Sequence, residues 1–126
     1  MSYSTLDLSI DHHIAHIQLN RPGKLNTLVM EFWQDMVDAF AEIENTAEAR
    51  VVVISSTGKH FTAGLDLNAF GSIAADMQSA TDPARIREQM RNNVREMQES
   101  FTVIEKCRLP VLAAVQGGCI GGGVDL

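Results

Sequence analysis

Apolar and polar residues alternate at the start of the chain. Leu6, Leu8 and Ile10 are separated by polar positions, and after Asp11-His12 the pattern resumes through Ile17 and Leu19. A period of two places the apolar side chains on one face of a strand, so Thr5 to Leu19 is predicted to form two strands around a tight turn. Arg21-Pro22-Gly23 ends that ladder, because proline and glycine interrupt regular structure. From Thr27 to Glu44 the period changes: Leu28, Phe32, Met36 with Val37, Phe40 and Ile43 recur at three and four. They form one stripe of an amphipathic helix. Asn26 is its candidate N-cap, since its side chain can accept from the first-turn N–H groups.

Val51-Val52-Val53-Ile54 is a continuous β-branched run, the pattern of a strand covered on both faces. A loop containing KHFTAGLDL is expected next. Asp82-Pro83 then supplies a cap residue followed by proline at the first helical position. Ile86, Met90, Val94, Met97, Phe101 and Ile104 continue at helical spacing, so a long amphipathic helix is predicted to about Lys106. Pro110 stops it, and Val111 to Val115 reads as another buried strand leading into QGGCIGGGVDL. The order of these elements predicts a mixed α/β chain. In such folds ligands collect beyond the carboxyl ends of strands, where the segments Lys59 to Leu67 and Gln116 to Leu126 are expected.

Composition narrows the functional classes. The 126 residues are 45% hydrophobic and 21% charged, close to soluble globular averages, which argues against disorder, collagen and coiled coil. The formal net charge of −6 provides no basic field to gather phosphate backbones, so nucleic acid is not an expected partner. No run approaches the roughly 18 apolar residues of a membrane span, and the start lacks the basic and apolar regions of a signal peptide. Cys107 and Cys119 lack CxxC spacing and read as free thiols. A cytosolic protein without a membrane partner is expected.

The glycine loop is the first candidate for chemistry. Gly121-Gly122-Gly123 after a strand permits close approach of backbone to a ligand, and a helix beginning near Val124 would leave several N–H groups unpaired for negative charge. The phosphate-loop pattern GxxxxGK[ST] is absent, and a dinucleotide fingerprint is matched only loosely. Taken alone, tight packing of a glycine-rich turn explains the loop equally well. KHFTAGLDL shifts the balance, because it sets the small pair Ala63-Gly64 before Asp66, again directly after a strand. Backbone N–H groups from two such loops can converge on one oxygen, the geometry of an oxyanion hole.

HFTAGLDL, PVLAAVQGGCIGGGVDL and RPGKLNTL, the last matching RPxxxNxL, together resemble the crotonase, or enoyl-CoA hydratase/isomerase, superfamily in motif order and across the whole chain. The resemblance implies a crotonase-like ββα spiral, truncated after the triple-glycine loop. Residues 1–126 would be its N-terminal part, with further spiral turns and a C-terminal helical region absent. It implies an acyl-CoA thioester as substrate, no cofactor beyond the CoA that the substrate carries, no metal, and a homo-oligomer, trimer or hexamer, for the full-length protein.

By resemblance, the N–H groups of Ala63 and Gly122 hold the thioester oxygen, the backbone through Ala63, Gly64, Leu65, Asp66 and Leu67 runs along the substrate, and Lys24 reaches the CoA phosphates. Asp125 stands where hydratases of the family usually have glutamate, and resembles the dienoyl-CoA isomerase branch, which shifts 3,5-dienoyl-CoA to 2,4-dienoyl-CoA in fatty acid β-oxidation. That branch draws further acidic residues from beyond Leu126. An enoyl-CoA hydratase and a non-catalytic acyl-CoA-binding fragment are the alternatives.

Plainer roles stand beside these. Asp66 can cap a helix after its loop. Leu65 and Leu67 can serve as packing residues, and Arg21 and Lys24 as exposed loop charges. His12, His13 and His16 lack the partners of a tetrahedral metal site, and His60 reads as an exposed or packed histidine rather than a base.

Overall fold

A hairpin opens the chain, and its turn is made by two histidines. The computed structural model describes residues 2–79 and 81–126. Strand β1 (Leu6–Asp11) pairs antiparallel with β2 (Ile14–Leu19), from Asp11 opposite Ile14 to Leu6 opposite Leu19. His12 and His13 both have positive φ, 47° and 66°, the left-handed pair that two-residue hairpin turns require.

Helix α1 (Met30–Thr46) leads to β3 (Val51–Ser56), which lies parallel to β2. Helices α2 (Leu67–Ser79) and α3 (Pro83–Lys106) then lead to β4 (Val111–Ala113), parallel to β3. The sheet order is therefore β1-β2-β3-β4. Parallel neighbours need a crossover between them, and the helices supply it.

One face of the sheet carries the core. Leu6, Ala15, Ile17, Leu19, Val52 and Ile54 are buried against Phe32, Trp33, Met36, Phe40 and Ile43 of α1. Phe101 brings α3 onto this layer by meeting Trp33 edge-on at 6.0 Å, while Phe32 meets the other side of the pair at 5.2 Å. Such aromatic contacts add about 0.5–1.5 kcal/mol beyond the area they bury. The N-terminal segment is tied to α1 by Asp35, whose Oδ2 accepts from the N–H and hydroxyl of both Ser4 and Thr5 at 2.8–3.1 Å.

Several sequence expectations need correction. α1 starts at Met30 rather than Thr27, with Val29 at its N-cap and no capping side chain. Asn26 does not cap it: Asn26 is left-handed, with φ 51°, and its side chain is engaged elsewhere. The segment after KHFTAGLDL is not all loop but contains α2. In β3 only Val52 and Ile54 are fully buried, because α1 covers just one face. β4 ends at Ala113, two residues short of Val115, and its Leu112 is exposed. The long amphipathic helix ends at Lys106 as expected, with Asp82 accepting from the Ala84 N–H at its start. Among the described residues no helix is long and apolar enough to cross a membrane.

Phe32 is 2% exposed at the junction of α1 and the sheet. Phe32→Ala should cost about 3–5 kcal/mol by leaving a cavity that its neighbours cannot fill. Urea denaturation should show a lower midpoint at nearly unchanged slope.

Candidate active site

The segment Phe61–Asp66 runs between two others and pairs with both. On one side, Phe61 N–H donates to Gln116 O at 2.8 Å, Thr62 N–H to Gly118 O at 3.2 Å, and Ile120 N–H to Thr62 O at 3.1 Å. On the other, Ala63 N–H donates to Leu25 O at 3.0 Å, Leu28 N–H to Gly64 O at 2.8 Å, and Asp66 N–H to Leu28 O at 2.9 Å. Two isolated parallel bridges, Thr62 with Cys119 and Leu28 with Leu65, mark the same arrangement. The three motifs far apart in sequence thus become one short, mostly main-chain sheet beyond the ends of β3 and β4.

Buried side chains tighten the junction. Thr62 is fully buried, and its hydroxyl donates to Asn26 O at 2.6 Å. Asn26 accepts from Arg21 N–H through Oδ1 at 2.7 Å and donates through Nδ2 to Thr57 O at 2.6 Å and His60 O at 3.1 Å. Its left-handed backbone and satisfied amide explain why it serves the turn instead of the helix.

Gly64 decides which N–H groups remain free. The N–H groups of Ala63 and Asp66 both point to the Leu25–Leu28 side, although an extended chain alternates sides at each residue. The break is Gly64, with φ +90°, and it turns the intervening Leu65 N–H toward the glycine-loop side. Leu65 N–H has no acceptor among the described residues. A methyl group on Gly64 would lie 2.9 Å from Ile120 O, so glycine is required there both for φ and for the close approach of the two loops.

The glycine loop contributes its own free donor. Gly121–Gly123 forms a single 3-10 turn, in which Gly123 N–H bonds Ile120 O and Val124 N–H bonds Gly121 O, both at 3.0 Å. The turn leaves Gly122 N–H without an acceptor among the described residues, as the first residues of any helical turn do. Gly123 is buried against Thr62, where a methyl group would overlap the threonine Cγ2. The packing expected of a glycine-rich turn and a free N–H therefore occur together.

The sequence expectation for Ala63 is corrected by this geometry. Its N–H is committed to Leu25 O, and the free donor on that loop belongs to Leu65. Nothing in residue type could have distinguished them, since the choice follows from the backbone rotation at Gly64.

The remaining candidates separate clearly. Asp66 caps α2: its Oδ1 accepts from Asn68 N–H at 3.0 Å and Ala69 N–H at 3.1 Å, and its Oδ2 accepts from the Thr27 hydroxyl at 3.0 Å. Arg21 Nη2 lies 3.8 Å from the same Oδ2, and its Nη1 donates to Thr27 O. The Ala69 N–H first, then the Thr27 hydroxyl, hold the Asp66 carboxyl below its usual range. Arg21 is thus a half-buried structural cation rather than an exposed loop charge. Leu67 is 83% exposed and does not serve as packing, whereas Leu65, at 37%, is mostly covered. Lys24 is exposed on the 3-10 turn Pro22–Lys24.

Asp125 is exposed, with its N–H bonded to Gly122 O at 3.2 Å. Its carboxylate has no hydrogen-bond partner among the described residues and borders an open groove with Gln98, Phe101, Thr102 and Glu105 of α3. His13 and His16 are taken up separately by Glu48 O and the Ser55 hydroxyl, while His12 pairs with Asp11. Among the described residues no three His, Cys, Asp or Glu side chains gather as metal ligands do.

A sequence model described as enoyl-CoA hydratase/isomerase matches residues 9–126, and the chain belongs to that family. The Delta(3,5)-Delta(2,4)-dienoyl-CoA isomerase, mitochondrial, of Pongo abelii is 49% identical over 128 residues, covering 99% of this chain and 38% of that protein. Its peroxisomal counterpart in Arabidopsis thaliana is 41% identical over 128 residues, covering 99% and 46%. The chain therefore spans less than half the length of these curated relatives. The solved structure of an enoyl-CoA hydratase/isomerase from Xanthobacter autotrophicus Py2 superposes with a TM-score of 0.83 at 27% identity, covering 98% of this chain and 43% of that one. The crotonase-like α/β fold expected from the motifs is the observed one.

The expected cytosolic location is overturned, because these relatives carry mitochondrial and peroxisomal names. Free cysteines and an acidic balance reflect redox poise and solubility, not which membrane encloses a protein.

Two outcomes follow from the site's construction. Gly64→Ala should destabilise the chain by about 1–3 kcal/mol through enforced positive φ, read as a lower urea midpoint. At Asp66 the depressed carboxyl contributes stability above the unfolded value near 3.9, and that contribution is lost as pH falls through the folded value. Asp66→Asn, which keeps a capping acceptor, should flatten the acid limb of a plot of thermal midpoint against pH.

Proposed function

We propose that this chain supplies the oxyanion-binding part of an acyl-CoA isomerase that converts 3,5-dienoyl-CoA to 2,4-dienoyl-CoA in fatty acid β-oxidation. The observation that carries the reading is the pair of free N–H groups, Leu65 and Gly122, on loops locked together through Thr62 and Ile120. The names of the relatives at 49% and 41% identity support the choice of reaction.

The chemistry suits main-chain donors. Removal of a proton from carbon 2 spreads negative charge from carbon 6 to the thioester oxygen, and return of a proton at carbon 6 leaves double bonds at carbons 2 and 4. Two N–H groups aimed at the thioester oxygen stabilise that charge without rearranging, and each such donor is worth on the order of 10²–10³ in rate. Asp125, adjacent to the glycine turn and free of internal partners, serves proton transfer or polarises the group that does. A general acid or base typically contributes about 10²–10⁴.

The second proton-transfer group belongs to the part of the relatives with which this chain does not align. Residues 1–126 act as the N-terminal part of the spiral domain, and the complete protein assembles as a homo-oligomer, trimer or hexamer. The Ala63–Leu67 backbone runs beside the acyl-CoA, and Lys24 meets the CoA phosphates from its exposed turn. No cofactor is required beyond the CoA of the substrate.

The test uses the complete protein containing this chain with 3,5-dienoyl-CoA, following the conjugated product by absorbance. Isomerisation is expected, and Asp125→Asn should lower kcat at least about tenfold. Hydration of 2-enoyl-CoA without isomerisation would replace this reading with a hydratase. Acyl-CoA binding without turnover of either substrate would replace it with a binding protein.

A further inference from the structure

His60 joins three segments at one point. Its carbonyl accepts from Asn26 Nδ2 at 3.1 Å and from the Ser56 hydroxyl at 3.2 Å. Its ring Nδ1 accepts from Gly118 N–H at 2.8 Å. The next residue, Phe61, is 1% exposed, and its N–H holds Gln116 O. The imidazole therefore stands on a backbone fixed from the Arg21–Leu28 turn, from the end of β3 and from the glycine loop at once.

The tautomer follows from the partner. A backbone N–H can only donate, so Nδ1 carries the lone pair and the ring proton resides on Nε2. Gly118 is consequently gripped at both ends of its polar backbone: its N–H by His60 Nδ1 and its C=O by Thr62 N–H. Without the first bond, the segment keeps Gln116 O–Phe61 N, Gly118 O–Thr62 N and Ile120 N–Thr62 O, but between Gln116 and Ile120 the Gly118 N–H loses its acceptor and the loop is held there by its carbonyl alone. Gly122 follows on the same loop, and reacting geometries are sensitive to displacements of about 1 Å, which can cost on the order of 10²-fold.

We propose that His60 is a positioning residue, whose Nδ1 holds the glycine loop at the setting that aligns the Gly122 N–H with that of Leu65. The inference rests on the oxyanion role proposed above. His60 does not act as a base, because its Nδ1 is occupied by Gly118 and its work is done through the loop.

Two variants separate positioning from simple packing. His60→Leu keeps bulk and removes the acceptor, whereas His60→Asn places a carbonyl oxygen at the δ position and restores it. In the complete protein, His60→Leu should lower kcat at least about tenfold with KM changed less than about threefold, and His60→Asn should recover most of the loss. In this chain, hydrogen exchange at the Gly118 amide should accelerate by about tenfold in the leucine variant and remain near wild type in the asparagine variant. Nitrogen NMR of the wild-type ring should show an unprotonated Nδ1.

Equal kcat for the two variants would overturn the proposal, as would Gly118 exchange indifferent to His60→Leu or a proton on Nδ1. The exchange and NMR readouts need no turnover. If the complete protein lacks isomerase activity, the oxyanion reading fails while the His60–Gly118 bond is still decided.

Discussion

The two-sided pairing of Phe61–Asp66 is the constraint on which the rest of the site depends. An inner strand of a sheet has its N–H and C=O groups satisfied on both sides, so its position is fixed by main-chain geometry more than by any side chain. Here that strand is short and irregular. The hydrogen bonds of Thr62 and Ala63 fix it from opposite sides, and the rotation at Gly64 withdraws a single N–H from the ladder. The glycine turn performs the same withdrawal by another route, as the unpaired start of a helical turn.

The helices serve this arrangement indirectly. α1 holds the sheet through its apolar stripe, and α3 is fastened to α1 through Phe101 and Trp33. α2 begins directly after the Ala63–Leu65 loop, where Asp66 satisfies its first N–H groups and is itself held by Thr27 and Arg21. The Arg21–Leu28 motif thus supports the loop from the side opposite the glycines. Arg21 and Asn26 of that motif act by hydrogen bonds to backbone, and Arg21 also stands beside the Asp66 carboxylate.

Much of the fold was legible because its signals are local. The hairpin and α3 follow from periodic runs and β3 from a continuous β-branched one, and Asp82 caps α3 as its position before proline suggests. α2 was less visible, since its apolar positions Phe70, Ile73 and Met77 lie in a sequence that opens in a glycine-containing loop. The exposure of Leu112 was not legible either, because a β-branched or aliphatic run predicts a strand without specifying what covers it. At the site, the three motifs and their convergence could be read from residue identity. The identity of the free donor could not: Ala63 and Leu65 differ only in where Gly64 sends the following peptide. Asn26 shows the same limit, as its side chain suits a helix cap but its left-handed backbone places it elsewhere.

A donor made of main chain is invisible to ordinary mutagenesis. Exchanging the Leu65 side chain, already partly in solvent, leaves its N–H in place, so an alanine scan would pass over the residue as silent. The positions that would register are those where a side chain is added, Gly64 and Gly123, and those that merely hold the loops. The sequence record of such a site is therefore written in its neighbours and in its missing side chains, and a search for reactive residue types would look past it.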